Sequence, residues 1–281
     1  MGAASRAGLP VALAGFAGLL EDARAQGAGM MLVVAHPDDE TIALGGHLPR
    51  LRQMPIACLT DGAPADLRDA HAHGFSSAAD YADARRRELE AALGVAGYPR
   101  QHLILFGVPD QQAAAQLAPL ARRLAALMTE RRPRFVLTHA YEGGHPDHDA
   151  AAFVVAAAAE LLRRSSLPAP TIVEMPFYHA GAGGTVYQRF IPVPDAVELV
   201  LRLSPDDAVI KGEMLACHAS QSGTLAPFAR DTERFRLAPA YDFRTLPNGG
   251  LLQYEAWQLG LTGADWLRLA ADALAALELR Q

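Results

Sequence analysis

Cysteine is scarce in this sequence. Only Cys58 and Cys217 occur among 281 residues. Cys58 lies in an apolar, strand-like run and Cys217 in a predicted helix, so we expect two buried free thiols. A disulfide scaffold and a cysteine-rich zinc site are both excluded.

An excess of positive charge and long apolar runs are also absent. The 25 Lys and Arg residues are outnumbered by 31 Asp and Glu residues, which gives a formal net charge of -6. A nucleic-acid partner is therefore not expected, because such proteins usually carry a basic stripe. No segment reaches the roughly 18 uncharged apolar residues of a membrane span.

Residues 1–25 have some outline of a secretory signal, but Glu21 and Asp22 interrupt it. A folded amphipathic helix over residues 9–20 is the favoured interpretation. We therefore expect a cytoplasmic protein. The share of hydrophobic residues, 51%, is typical of a compact globular chain.

Short apolar, β-rich runs alternate with helical periodicity through the first half of the chain. Strands are predicted at residues 30–35, 56–60, 102–106 and 135–138. Helices are predicted at residues 44–52, 79–93, 116–131 and 149–163. This alternation predicts an α/β fold with a Rossmann-like, mostly parallel sheet, helices on both faces, and an active site at the carboxyl ends of the strands.

The C-terminal third is less regular. The pattern predicts strands at residues 171–174 and 197–203, a helix at 205–219, a Pro/Gly-rich stretch to residue 250 and a helix at 263–279. No repeat or low-complexity tract appears apart from alanine-rich helices. We therefore interpret residues 1–281 as a single domain, with a core at about 29–165 and a C-terminal elaboration at about 166–281.

Two polar clusters follow predicted strands. His36, Asp38 and Asp39 come directly after the first strand, and His145-Pro146-Asp147-His148 follows the fourth. Adjacent carboxylates repel and raise one another's pKa unless a cation compensates, so a metal is their natural partner. The alternative, that these residues only cap helices and form Asx turns, is weaker because both clusters are expected at one edge of the sheet.

The residue types in these clusters suit zinc. Zinc favours histidine nitrogen and carboxylate oxygen, and catalytic sites combine three protein ligands with an open position for water. His36, Asp39 and His148 supply such a set, for one Zn²⁺ per chain. Asp38, beside a ligand, is predicted to take the proton from the attacking water as general base.

Six of the other histidines fall into two groups. His145 is predicted to face the developing oxyanion or the leaving amine, with the Asp147 carboxylate hydrogen-bonded to its ring to hold it protonated. Five others occur singly and are expected to be satisfied or solvated: His71, His73, His102, His179 and His218.

Three stretches carry a resemblance to a known family. They are Ala35-His36-Pro37-Asp38-Asp39-Glu40, Arg85-Arg86-Arg87-Glu88-Leu89 and His145-Pro146-Asp147-His148. Together they resemble the PIG-L/LmbE-like family of zinc-dependent N-acetylglucosaminyl deacetylases, closely over residues 29–165 and more loosely at Lys211 and residues 218–221.

The resemblance implies a hydrolase that removes an acetyl or other acyl group from the nitrogen of an amino sugar or glycoconjugate. It implies the same roles for the ligands, for Asp38 and for His145. It also implies that Arg85 binds the aglycone or anionic part of the substrate, and that Asp110 contacts a sugar hydroxyl.

Two loops depart from the family pattern, at residues 61–80 and 141–144, so the aglycone stays open. An amidase acting on a larger glycoconjugate amide would use the same site. A non-catalytic sugar-binding module is less favoured, because Asp38 is intact and no G-x-G-x-x-G sequence follows the first strand. The oligomeric state is also open, and a homo-oligomer is compatible with the sequence.

Overall fold

A computed structural model describes residues 8–279 of the chain. Within these residues the strands are β1 (Met30–Val34), β2 (Ile56–Pro64), β3 (Leu103–Asp110), β4 (Phe135–His139), β5 (Thr171–Met175), β6 (Tyr178–Gly181), β7 (Gly184–Tyr187), β8 (Glu198–Arg202) and β9 (Thr232–Leu237). The helices are α1 (Val11–Glu21), α2 (Asp39–Leu44), α3 (Arg68–Ala72), α4 (Ala78–Val95), α5 (Leu117–Arg131), α6 (Pro146–Arg164), α7 (Pro205–Cys217), α8 (Ser222–Leu225), α9 (Gln253–Ala256) and α10 (Gly263–Ala276).

Seven strands form one sheet in the order β3-β2-β1-β4-β5-β9-β8, and β6 and β7 form a separate hairpin. The first five of these strands run parallel, and β9 and β8 are antiparallel additions at one edge. The predicted α/β fold with a mostly parallel sheet is confirmed. The order places β1 and β4 side by side, so the loops after them meet at the carboxyl edge of the sheet.

The central strands are apolar along their whole length because helices cover both faces of the sheet. In β1 every residue is buried. Met31 and Val33 face a core formed with α5, α6 and α10. Met30, Leu32 and Val34 face a second core, to which α1, α4 and α7 contribute.

Helix α6 carries the second polar cluster on its first turn. His145 is its N-cap and Pro146 its first residue, where a missing amide hydrogen costs nothing. Asp147 and Asp149 lie in the first turn, and arginines lie in the last turn, as the helix dipole favours. This start fixes His148 beside the end of β4.

The helix predicted at residues 44–52 is wrong. Helix α2 instead spans Asp39–Leu44, and only a 3-10 turn, Leu48–Arg50, follows it. The adjacent glycines Gly45 and Gly46 weaken a helix, and Pro49 cannot donate a backbone hydrogen bond. The first polar cluster therefore begins a helix rather than only forming a loop before one.

The C-terminal third contains more regular structure than predicted. Strand β9 lies within the stretch expected to be irregular, and the hairpin of β6 and β7 was not anticipated. Cys58 is buried as expected, whereas Cys217 is half-buried.

At the N-terminus, residues 1–7 of the segment considered as a signal lie outside the described residues. The helix expected there is present as α1, which buries Leu13, Phe16 and Leu20. Among residues 8–279, no helix has the length and apolar character needed to cross a membrane.

Candidate metal centre

The two polar clusters meet where β1 and β4 end. The Nδ1 atom of His36 lies 3.2 Å from Nε2 of His148. The same Nδ1 atom lies 3.4 Å from Oδ2 of Asp39, and His148 Nε2 lies 3.5 Å from Asp39 Oδ1. The three predicted ligands are therefore brought together, all buried.

These separations suit one small cation. A tetrahedral ion with ligand bonds of about 2.0–2.2 Å holds neighbouring donor atoms about 3.3–3.6 Å apart. The separation between the two ring nitrogens and the nearest approach of each ring to Asp39 fall close to that range, with Oδ2 nearest His36 and Oδ1 nearest His148. Two imidazole nitrogens and one carboxylate are also a donor set that zinc accepts. The group can hold a divalent metal ion.

Carboxylates on the far side of His36 orient its ring. Its Nε2 atom lies 3.0 Å from Asp110 Oδ1 and 3.5 Å from Asp147 Oδ2. Burial alone would lower the pKa of His36, but Asp110 and the other nearby carboxylates raise it well above its ordinary value. In the neutral ring that can bind a metal, the hydrogen bond to Asp110 places the proton on Nε2 and leaves the Nδ1 lone pair for the ion.

Asp110 has a contact that the sequence did not indicate. Its Oδ1 atom is hydrogen-bonded to His36, a candidate ligand. The contact forms because β3 extends to Asp110, so this side chain lies at the same sheet edge as His36. A contact between Asp110 and a sugar hydroxyl stays a prediction.

A second group of donors shares His36: it adds Asp110, His145 and Asp147. Asp147 is poorly suited to a metal, because its two oxygens already accept the amides of Gln111 and Ala113, at 2.6 and 3.0 Å. The set with Asp39 and His148 is therefore the better metal site.

Asp38 is paired with Arg85. The Arg85 guanidinium donates to Asp38 Oδ2 at 3.0 Å and to the carbonyl of Gly62 at 2.8 Å. Both side chains are buried, with 4% of Arg85 exposed. Gly62 has a φ of 69°, and a Cβ there would lie 2.8 Å from the guanidinium, so only glycine fits. Arg85 thus contacts Asp38, and the role in substrate binding that the resemblance implies for Arg85 stays a prediction.

The charge of Arg85 bears on the ionisation of Asp38. Burial raises the pKa of the Asp38 carboxyl, and Arg85 opposes that rise. Burial also acts on Asp39, but the imidazoles of His148 and His139 hold its pKa well below the ordinary value. Two adjacent carboxyls therefore have opposite tendencies, as expected of a base beside a ligand.

The predicted hydrogen bond between the Asp147 carboxylate and His145 is not formed. Instead the backbone amide of Asp147 donates to Nδ1 of His145, at 3.2 Å. The carboxylate points away, toward the loop after β3. Burial and the neighbouring His36 lower the pKa of His145 well below its ordinary value. His145 is thus a neutral imidazole with its proton on Nε2, which lies 4.0 Å from Asp110.

Sequence reasoning gave no role to His139, the last residue of β4. Its Nε2 atom accepts the amide of Ala35 at 3.0 Å and lies 3.3 Å from Asp39 Oδ2. Its ring stacks on His148 with centroids 4.0 Å apart. The position directly after an apolar strand was the available signal. His139 supports two of the three ligands.

His218 is also more than an isolated histidine. It is fully buried, with Nε2 lying 3.7 Å from Glu40 Oε1. Burial would lower its pKa, but Glu40 raises it. The C-terminal third therefore contacts the first motif from behind.

A cleft of about 930 Å³ opens elsewhere, between α6 and residues 237–244. None of the three metal donors lines it. The cleft is therefore separate from the candidate metal centre, despite its volume.

Residues 31–159 match the family described as PIG-L, GlcNAc-PI de-N-acetylase. This segment is similar to the PIG-L family. It contains the whole donor set, together with Asp38, Arg85 and His145.

Curated relatives match between about half and two thirds of this chain. A 1D-myo-inositol 2-acetamido-2-deoxy-alpha-D-glucopyranoside deacetylase of Tsukamurella paurometabola is 31% identical over 188 residues, covering 55% of this chain and 62% of the relative. The protein of the same name from Mycobacterium sp. (strain KMS) is 30% identical over 203 residues, covering 63% of each chain. The chain thus spans less than two thirds of the length of these relatives.

Solved structures share the fold over roughly four fifths of this chain. The A40926 pseudoaglycone deacetylase Dbv21 matches with a TM-score of 0.58 and 18% identity, covering 77% of this chain and 99% of that one. The N,N'-diacetylchitobiose deacetylase from Pyrococcus horikoshii matches with a TM-score of 0.55 and 18% identity, covering 82% and 94%. At this identity the likeness concerns the fold alone.

Proposed function

We propose that this chain is a zinc-dependent hydrolase that removes an acetyl or other acyl group from the nitrogen of an amino sugar or glycoconjugate. The observation that carries the proposal is the meeting of His36, Asp39 and His148 at 3.2–3.5 Å, with the buried pair of Asp38 and Arg85 beside them. Curated relatives named as deacetylases of an acetamido sugar support the choice of bond.

His36, Asp39 and His148 would hold one ion per chain. When bound, a divalent cation lowers the pKa of water in its open position and polarises a carbonyl oxygen. Asp110 orients His36 through its Nε2 proton, and His139 supports the other two ligands. This division between ligands and supporting groups is typical of metal sites.

The remaining side chains divide the proton transfers. Asp38 takes a proton as water attacks the amide carbon, and Arg85 keeps that carboxylate oriented. His145, a neutral donor through Nε2, stabilises the developing oxyanion. When the carbon-nitrogen bond breaks, the proton held by Asp38 passes to the leaving amine. The products are a carboxylic acid and the free amino sugar.

The donor chemistry favours zinc, but other divalent ions suit the same atoms. We also propose that residues 8–279 act as one domain, because the sheet includes strands from both the core and the C-terminal third. A cytoplasmic location stays a prediction.

The direct test is amine release. Purified chain is incubated with N-acetylglucosamine, its glycosides, longer N-acyl analogues and larger glycoconjugate amides, and free amine is detected with an amine-reactive fluorophore. We expect release from at least one N-acyl amino sugar, its loss after chelation and its return with Zn²⁺. Release that persists through full chelation, with metal absent by elemental analysis, would contradict the proposal. Preference for the larger amides would identify the amidase alternative.

A further inference from the structure

Four aromatic side chains outside the PIG-L segment lie beside the candidate metal centre. We call them the aromatic wall: Tyr178, Tyr187, Phe228 and Trp257. The Tyr178 ring packs on the ligand His148 at 5.3 Å between centroids and on Trp257 at 5.2 Å. Tyr187 and Phe228 support Tyr178 from behind, at 6.0 and 6.3 Å. A continuous row of rings therefore leads away from the metal ligand.

The segments that carry the wall are fastened to each other. Tyr178 and Tyr187 belong to the hairpin of β6 and β7, and Trp257 follows α9. The Asn248 side chain donates to the carbonyl of Ala180 at 2.8 Å. The Thr185 hydroxyl donates to the side chain of Gln253 at 3.0 Å. These bonds fix the hairpin against residues 248–257.

Both segments also rest on the turn that precedes His145. The amide of Gln253 donates to the carbonyl of Gly143 at 2.7 Å. The backbone of Tyr178 lies so close to Gly144 that a Cβ there would clash with the Tyr178 carbonyl. Gly144 therefore permits the close approach of the wall to the metal centre.

Exposure increases along the row. His148 is buried, Tyr178 is half-buried, and 41% of Trp257 is exposed. Leaving a tryptophan in water forgoes the stabilisation that its burial would give. Aromatic side chains placed beside a few polar groups are typical of small-molecule sites.

We propose that Tyr178 and Trp257 form a platform on which the pyranose ring of the substrate stacks, with its N-acyl group directed at the metal centre. The inference rests on the proposed function and adds a substrate contact outside the PIG-L segment. A pyranose has an apolar C–H face and hydroxyls at its edge, which suits rings open to water. An acyl chain would instead favour an enclosed apolar channel.

Tryptophan emission tests the platform separately from turnover. The sequence has two tryptophans, and Trp266 is fully buried, so acrylamide quenching reports mainly on Trp257. N-acetylglucosamine is added to the Asp38→Asn variant, which should not consume it. We expect saturable protection from the quencher, which disappears in the doubly substituted chain that also carries Trp257→Phe. Binding detected by calorimetry without protection of Trp257 would overturn the platform.

Kinetics provide the second readout. Trp257→Ala should raise KM for an N-acyl amino sugar by roughly five- to tenfold with kcat little changed, because a lost stacking contact removes uniform binding. Trp257→Phe should retain most of the affinity. Leu251→Ala is the matched control, since Leu251 is also apolar and exposed in the same segment.

The outcomes separate the two proposals. Amine release with an unchanged KM in Trp257→Ala overturns the platform and leaves the proposed function intact. Saccharide protection of Trp257 without any amine release supports the platform and contradicts the proposed function. A KM increase confined to long-acyl substrates would assign the wall to the acyl chain and overturn the sugar platform.

Discussion

The guanidinium of Arg85 lies 3.0 Å from the carboxylate of Asp38, although 47 positions separate the two residues in the chain. Of three consecutive arginines on α4, only Arg85 is buried. Its contact with Gly62 brings β2 and α4 together beside the first motif. Through these two contacts Arg85 holds Asp38, the proposed base, in a fixed position relative to β2 and α4.

Replacing this arginine should change a pH profile. In Arg85→Gln, burial would raise the pKa of Asp38 further, because the positive charge that opposes the rise is lost. The base works deprotonated, so the acid limb of kcat/KM should move to higher pH. Arg86→Gln is the matched control, because Arg86 pairs with Glu90 and Asp83 on the surface. If the acid limb does not move and KM for anionic substrates rises, the result would support the substrate-binding role that the resemblance implies for Arg85.

Replacing the base itself should separate binding from chemistry. Asp38→Asn should keep its metal and lose roughly 10²-fold or more of kcat, as is typical for loss of a general base. Asparagine can still accept the Arg85 hydrogen bond, so the fold should hold. Elemental analysis and kcat on matched samples check this. Loss of metal together with activity would make Asp38 a ligand.

The ligand assignment predicts metal content. His148→Ala should lose most of the bound Zn²⁺, because only two of the three donors remain. Asp110→Asn should weaken metal binding by about 10- to 100-fold, as expected for a group that orients a ligand. His71→Ala is the control, since His71 is exposed. Full metal content and activity in His148→Ala would refute the assignment.

The fold and the donor set were predictable because apolar strands and the turns after them are local patterns. The contacts that support the donor set were not predictable. The hydrogen bond that the Gln111 amide donates to Asp147 joins residues 36 positions apart, and nothing near Asp147 in sequence indicates it. Strand β9 was missed for another reason. Its buried positions include the charged Glu233 and Arg236, so its burial pattern does not appear as a hydrophobic pattern.

Glu233 predicts an acid dependence of stability. It accepts hydrogen bonds from Lys211, at 3.2 Å, and from Gly46, at 2.9 Å, and it pairs with His47. Burial would raise the pKa of Glu233, but Lys211 and His47 lower it to about 2. A carboxyl whose pKa is lower in the folded state stabilises the fold at any pH above its unfolded-state pKa. That stabilisation is lost as the pH falls toward 2.

The free energy of unfolding of the parent protein should therefore fall by on the order of 3 kcal/mol between about pH 5 and pH 2 as Glu233 becomes protonated. Glu233→Gln should lack this part of the decline, and at pH 7 it should be less stable because Lys211 is left buried without its counter-charge. Urea unfolding across pH measures both effects. Glu198→Gln, at a surface pair with Arg234, is the control. Equal slopes for parent and Glu233→Gln would contradict the prediction.

Two aspartates on the first turn of α6 differ in how their carboxylate oxygens accept hydrogen bonds. The two oxygens of Asp147 accept separate amides, those of Gln111 and Ala113. In Asp149 a single oxygen, Oδ1, accepts both the Glu142 and Gly143 amides, while the buried Oδ2 has no partner among the described residues. Burial raises the pKa of Asp149 to about 8, although those amides oppose the rise. Asp149 is thus mostly neutral at pH 7, and Asp147 needs both of its oxygens.

Asparagine should therefore have different effects at the two sites. Asp147→Asn turns an amide group toward a backbone N–H and should cost about 1–3 kcal/mol of unfolding free energy. Asp149→Asn keeps the accepting oxygen and should cost less than about 1 kcal/mol at pH 5. The raised pKa of Asp149 makes the parent less stable as the pH rises from about 4 toward 8. The difference in unfolding free energy between Asp149→Asn and the parent should therefore shift in favour of the variant over that range. Urea unfolding at pH 5 and 7.5 measures these differences. Asp147→Asn should also leave the alkaline limb of kcat/KM in place, because His145 is already neutral there and the Asp147 carboxylate does not contact it. A shift of that limb to lower pH would show instead that His145 titrates there and is coupled to Asp147 during the reaction.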